Sequence, residues 1–162
     1  MKKFYLTTAI DYVNDQPHLG HALEKIQADV LARYTREKIG AENVFFLTGT
    51  DEHGAKIVRA AEKAGMEPQA FVDATAAKFI ALKGELNLSW DGFIRTSDTE
   101  HHLPGVIKIW QALADKGDIY KKTYRGLYCV GHEAFVTEKD LEAGKCRDHQ
   151  KAPEVVEEEN WF

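Results

Sequence analysis

Residues 4–10 read FYLTTAI, residues 11–17 read DYVNDQP, and HLGH follows at 18–21. The first stretch is aromatic and β-branched, with no Gly or Pro, which is the composition of a buried strand. The second is rich in Asn, Asp and Pro and reads as a turn. A helix then starts near His18. Leu23, Ile26, Val30, Leu31 and Tyr34 recur at helical spacing and predict its buried face, and Gly40 predicts its end. A strand running through a tight turn into a helix is the opening unit of a parallel α/β sheet, and in such sheets ligands bind where the strand ends and the helix begins.

The same alternation continues along the chain. Val44–Thr48 (VFFLT) predicts a second strand, Gly49–Gly54 a turn, and a short helix runs to about Gly65. Pro68 suits the first turn of another helix, with Phe71, Thr75, Phe79, Leu82 and Leu86 as its buried stripe. Residues 93–96 (FIRT) predict a third strand. Asp98 or Thr99 can cap the next helix, with Val106, Ile109, Trp110 and Leu113 facing the core, and Gly117 ends it. Strand, helix, strand, helices, strand, helix implies a parallel sheet covered by helices. After Gly117 the texture changes to short β-like pieces around 124–130, turns, and an acidic run at 154–159 that reads as a solvated tail. The expected organisation is therefore a Rossmann-like domain over 1–117 and a small β insertion over 118–162.

Composition narrows the classes. The chain has 162 residues, of which 44% are hydrophobic and 29% charged, an ordinary globular balance that argues against a disordered or collagen-like chain. Twenty-one Lys and Arg against 26 Asp and Glu give a formal charge of −5, which makes a strongly basic nucleic-acid coat an unsuitable reading. No apolar run approaches the ~18 residues of a membrane span, and the N-terminus lacks a signal-peptide pattern, so a cytoplasmic location is expected. In a reducing compartment the two cysteines, Cys129 and Cys146, are expected free or metal-bound rather than disulfide-linked.

Two constellations carry chemistry. His18 and His21 are three apart at a helix start, so both rings can lie on one side, and Gly20 between them lets a ligand approach the backbone. Free N–H groups and the positive helix end favour an anion there, so the residues alone point to a phosphate site; the competing reading is a capping His18 and a solvated His21. H-L-G-H lacks the spacing and the Glu of a zinc metalloprotease motif. The second constellation is Cys129-x2-His132 and Cys146-x2-His149. Two knuckles of this spacing can converge on one tetrahedral ion, and zinc is the natural choice for mixed sulfur and nitrogen ligands. With all four positions filled by protein, its role would be structural. The competing reading is two unliganded thiols and two surface histidines.

The combination of TTAIDYVN at 7–14, PHLGH at 17–21, ADVLARY at 28–34 and FLTGTDEHG at 46–54 resembles the class I aminoacyl-tRNA synthetases, and the last segment resembles the methionyl-tRNA synthetases among them. The resemblance extends over essentially the whole chain. It implies that His18 and His21 stand for the HIGH histidines that hold the ATP phosphates, that Gly20 lets adenine pack against the backbone, and that Ile10 and Tyr12 line a methionine pocket. Asp51 would receive the methionine ammonium group, and Glu24 is a further candidate at the ATP site. The implied reaction is activation of L-methionine by ATP, with Mg²⁺, and transfer of the methionyl group to tRNA(Met). Such chemistry calls for positioning and charge stabilisation rather than a protein base.

Ala9 and Asp11 depart from the family's commoner residues. The family often carries a zinc knuckle in its connective insertion, with Cys commonly where this chain has His132. No KMSKS-type loop, helical anticodon-binding domain or basic tRNA surface is found, so the chain reads as the first half of the nucleotide-binding fold plus the start of that insertion. On that reading it would work with the remaining half of the synthetase and turn over little alone. The alternatives are another class I synthetase or nucleotidyltransferase, and a non-catalytic zinc-binding module that recognises a partner.

Overall fold

A computed structural model describes residues 2–162. These divide into two compact units, one ending at Gly105 and the other running Val106–Phe162. Among the described residues no helix is long and apolar enough to cross a membrane.

The first unit is built on a three-stranded parallel sheet, ordered β1 (Phe4–Tyr12), β2 (Val44–Asp51), β3 (Gly92–Arg95). Helix α1 (Leu19–Ile39) connects the first two strands; α2 (Ala55–Ala64) and α3 (Pro68–Glu85) connect the second and third. Both β1 and β2 outrun the sequence expectation, because Asp11 and Tyr12 keep pairing with Thr50 and Asp51. The two turns are thereby held side by side at the carboxyl ends of the strands. Pairing slips between Thr7, opposite Leu47, and Ile10, opposite Gly49, so β1 carries one extra residue there. Gly49 itself has no alternative. A Cβ on it would lie 2.1 Å from the Ile94 carbonyl oxygen of β3.

The buried face of α1 differs from the one its apolar spacing predicts. Leu23, Ile26, Val30, Leu31 and Tyr34 are all exposed, Tyr34 by 60%, while Lys25, Ala28, Asp29 and Ala32 are buried. The reason is steric and electrostatic. Ala28 and Ala32 are small enough to pack closely against Phe46, Leu88 and Trp90. The polar pair on that face is satisfied: Asp29 accepts from the Ser89 backbone N–H at 2.6 Å and from Arg33 Nε at 2.5 Å, and Lys25 meets Asp11. A second cluster joins Val13 to Ile57, Val72 and Phe79, with Phe71 and Leu82 packed around it, close to the stripe expected for α3.

Helix α4 (Leu103–Asp115) also departs from expectation. Val106, Ile109, Trp110 and Leu113 are exposed, and no residue of the helix is buried. In the second unit, β4 (Lys121–Cys129) lies between β5 (Ala134–Val136) and β8 (Glu154–Trp161), and β6 (Leu141–Glu142) pairs with β7 (Lys145–Cys146). The acidic run is therefore a strand rather than a tail. Its carboxylates find cations across the antiparallel ladder: Lys121 Nζ lies 2.6 Å from Glu159, and Arg125 Nε 3.7 Å from Glu157. Trp110 packs edge to face on Trp161 within this unit.

Candidate active site and metal centre

His18 is the N-cap of α1, with extended backbone angles. Its Nδ1 accepts from the Gly20 backbone N–H at 3.1 Å. His21, at the third helical position, returns the bond: its Nδ1 accepts from the His18 backbone N–H at 3.2 Å. This is a capping box made of two imidazoles, where Ser and Glu are the usual pair. The rings stack with centroids 3.7 Å apart, and His21 also meets the edge of Phe79. Gly20 is where it is partly for this cap, since a Cβ there would press on the His18 ring at 3.0 Å.

The cap fixes chemistry as well as shape. An Nδ1 that accepts carries no proton, so in each neutral ring the N–H sits on Nε2. Two Nε2–H donors thus stand at the positive end of α1. Burial draws the His21 imidazole below its ordinary value, against the opposing pull of Asp11. Protonating His21 at Nδ1 also destroys the acceptor that the cap needs. Since the folded state resists the proton while the unfolded chain takes it up, the stabilisation is complete above about pH 6.5 and is lost as pH falls through the depressed folded value. The His18 and Gly20 amides are expected to exchange hydrogen faster at pH 5 than at pH 7.5, after correction for intrinsic rates. Unchanged protection would contradict the two-imidazole cap.

The candidate methionine residues lie next door. Ile10 is opposite Gly49 and Tyr12 is opposite Asp51 in the β1–β2 ladder, which places Ile10, Tyr12 and Asp51 on one face of the sheet. Asp51 Oδ1 is approached by Thr96 Oγ1 at 3.4 Å and by the His53 backbone N–H at 3.5 Å, both long contacts that leave the carboxylate weakly held. Beneath it Glu52 is fully buried. Arg95 grips Glu52 with two bonds, Nε to Oε1 at 2.7 Å and a terminal nitrogen to Oε2 at 2.9 Å; Thr50 donates at 2.6 Å and Ser97 adds a further hydrogen bond. Arg95 also reaches Asp73 at 2.5 Å. Burial pushes the Glu52 carboxyl up, but the donors outweigh it and hold it below the usual carboxylate range. Glu24, the further ATP-site candidate, accepts from the Ala9 backbone N–H at 3.1 Å and from Lys25 Nζ at 3.2 Å.

Sequence reasoning missed Lys25, Glu52, Arg95 and Thr96. The available signal was the polar pair Lys25 and Asp29 interleaved with Ala28 and Ala32, a small and charged stripe that can be buried only if it is paired. His101 and His102 stand immediately before α4. His101 bonds Asp98 at 2.9 Å and His102 the Thr96 carbonyl at 3.1 Å.

In the second unit, Cys129, His132, Cys146 and His149 converge, with one ligand atom from each lying within 4.8 Å of the others. Cys146 Sγ is 3.6 Å from His132 Nδ1 and 3.5 Å from His149 Nδ1, and Cys129 Sγ is 3.7 Å from His149 Nδ1. Ligands at about 2.0–2.3 Å from a tetrahedral ion are separated by about 3.3–3.8 Å along its edges, so these three spacings match one cation, and the wider pairs, up to 4.8 Å, would draw in around it. His132 fits the role through the same nitrogen, because its Nε2 is committed to Asp148 at 2.9 Å. A carboxylate behind a ligating imidazole fixes its tautomer and strengthens it as a ligand.

Comparison with known proteins settles the family. The model for tRNA synthetases class I (M) matches residues 4–159. The chain belongs to the class I methionyl-tRNA synthetase family. It is 46% identical to the methionine–tRNA ligase of Thermotoga maritima over 99% of this chain and 26% of that protein. It is 44% identical to the methionine–tRNA ligase of Rickettsia bellii over 98% of this chain and 31% of that one. The Mycobacterium tuberculosis methionyl-tRNA synthetase, solved in complex with methionyl-adenylate, superposes with a TM-score of 0.88 at 39% identity, covering 99% of this chain and 32% of that structure. The chain therefore spans about a quarter to a third of the length of the synthetases it matches. It corresponds to their N-terminal part, and its α/β parallel sheet is the synthetase fold.

Proposed function

We propose that this chain supplies the ATP- and methionine-binding half of a methionyl-tRNA synthetase active site. The observation that carries the reading is the two-histidine cap of α1, which presents two Nε2–H donors beside the turn that bears Asp51. ATP, entering with Mg²⁺, places its phosphates against the donors and the helix end. The ammonium of L-methionine pairs with Asp51, and its thioether side chain lies along Ile10 and Tyr12. The methionine carboxylate attacks the α-phosphorus, the bond to the bridging oxygen breaks, and pyrophosphate leaves. The imidazole N–H groups stabilise the charge that builds on the departing oxygens, which is the kind of contribution preorganised donors make. Transfer of the methionyl group to the 3′ end of tRNA(Met) belongs to the whole synthetase, with the remaining part of the protein as this chain's partner.

The cation at Cys129, His132, Cys146 and His149 is best read as structural zinc. All four positions are filled by protein, so the site has no opening for substrate.

Equilibrium dialysis with ATP and with methionine tests the assignment on this chain. His18→Ala and His21→Ala are each expected to weaken ATP binding, and Asp51→Asn to weaken methionine about 10–100-fold, the range of a lost charge-assisted hydrogen bond. Binding untouched by all three would overturn it. ATP–pyrophosphate exchange with each amino acid in turn then separates the family members: dependence on an amino acid other than methionine would point to a different synthetase.

A further inference from the structure

Asp11 and Lys25 have no part in the site as derived so far, yet both are buried beneath it. Asp11 is 5% exposed and Lys25 only 1%. Lys25 Nζ lies 2.7 Å from Asp11 Oδ2, an ionic contact without an aligned hydrogen bond. The other oxygen, Oδ1, lies 4.0 Å from His21 Nε2. Lys25 follows His21 by four residues, one helical turn, so the two side chains project from the same stripe of α1. Asp11 comes from β1. Glu24 Oε2 at 3.2 Å and the Ala9 carbonyl at 3.4 Å complete the surroundings of the ammonium. Phe79 from α3 and the stacked His18 ring close the other sides of His21.

We propose that the buried Asp11–Lys25 pair sets the charge state of His21, keeping its ring neutral at the head of α1 so that Nδ1 remains the acceptor of the cap and Nε2 keeps its proton. The inference rests on the ATP-site reading above. A bare carboxylate 4.0 Å from Nε2 would favour the imidazolium, and that second proton would occupy the Nδ1 that the cap requires as an acceptor. It would also set a negative charge beneath the position assigned to the ATP phosphates. Lys25 neutralises Asp11, so a carboxylate 4.0 Å from the ring does not draw a second proton onto it. Packing alone gives no reason for the pair, since two apolar side chains of similar volume usually serve stability as well as a buried ion pair does.

The test is long-range ¹H–¹⁵N NMR of histidine-labelled chain, which reads both tautomer and titration of His21. The parent is expected to show the Nε2–H tautomer at pH 7.5. Lys25→Met should move the His21 midpoint up by about half a pH unit or more, and Asp11→Asn should move it down. Opposite shifts are the signature, because a purely structural role predicts none. Asp11→Asn leaves the buried Lys25 with Glu24 as its charged partner, and Lys25→Met leaves the Asp11 carboxylate buried without a cation, so both single variants are at risk of unfolding. The double variant Asp11→Asn/Lys25→Met therefore accompanies them; it is expected to fold, with its midpoint below the parent's because Asp11 faces the ring directly. An Nδ1–H tautomer in the parent, or one midpoint shared by parent, Lys25→Met and the double variant, overturns the proposal. ATP dialysis on the same samples keeps the two readings apart. A parent that binds no ATP but shows the opposite shifts refutes the ATP site and leaves the pair's hold on His21 established.

Discussion

Arg95→Met is expected to be among the most destabilising single changes in the first unit, costing about 3–5 kcal/mol, the range for removing one partner of a buried ion pair. Glu52 cannot follow its partner into water. Its side chain has no exposed surface, and Arg95 provides two of the bonds that hold it charged. Thr50 and Ser97 remain after the substitution, but neither carries a compensating charge. The loss would spread to the site above. Thr96, the neighbour of Arg95, accepts from the Glu52 backbone N–H at 2.7 Å and approaches Asp51 with the same hydroxyl. Urea denaturation followed through Trp90, which is buried in this unit, gives the measurement. Pairing Arg95→Met with Glu52→Leu should recover much of the loss, since an apolar replacement of both partners is commonly tolerated. A cost below about 1 kcal/mol for Arg95→Met alone would show that Glu52 is not held as a charge.

Cys146→Ser is expected to abolish metal retention and unfold the second unit. The only fully buried apolar side chains described there are those of Cys129 and Cys146 themselves, so the four-ligand cluster takes the place of a hydrophobic core. Structural zinc in comparable small modules contributes about 10–16 kcal/mol of apparent binding free energy near neutral pH, far more than such a scaffold can replace. Elemental analysis of the parent should find zinc bound at one per chain, and a strong chelator should remove it together with the near-ultraviolet dichroism of the aromatic pairs Tyr124–Phe135 and Tyr128–Phe135. The first unit should keep its own transition. A metal-free parent with an intact second unit would refute the structural role. His132→Cys is informative in the other direction, because it restores the family's commoner ligand and should retain the ion.

Much of this was legible in the residues. The strand–helix alternation, the placement of His18 and His21 at a helix start, and the pairing of the two knuckles all depend on local spacing, which a sequence carries directly. The face of α1 was not legible by the same means. Hydrophobic periodicity pointed to Leu23, Ile26 and Val30, whereas the buried stripe is Lys25, Ala28, Asp29 and Ala32. Two charges can lie inside only because Asp11 and Ser89 come from elsewhere in the chain to meet them, and periodicity holds no record of such partners. The run at 154–159 misled for a related reason. Its carboxylates are solvated, as expected, but the run pairs as a strand whose partners, Lys121 and Arg125 among them, lie on the far side of the ladder.

The extra residue in β1 has a consequence for which side of the sheet does chemistry. Up to Thr8 the even-numbered residues of this strand are the more buried, and from Asp11 onward the odd ones are. The slip between Thr7 and Ile10 therefore acts as a change of parity, turning every later side chain to the opposite face. An uninterrupted ladder would have pointed Ile10 and Tyr12 into α1 and left Asp11 on the face that Asp51 occupies. One inserted peptide unit thus sends the apolar pair to the face that carries Asp51 and the acid down to its lysine, and its spare N–H, from Ala9, is taken by Glu24. The strand's chemical polarity is set by counting rather than by composition, which makes the number of residues between Thr7 and Tyr12 as consequential as their identities.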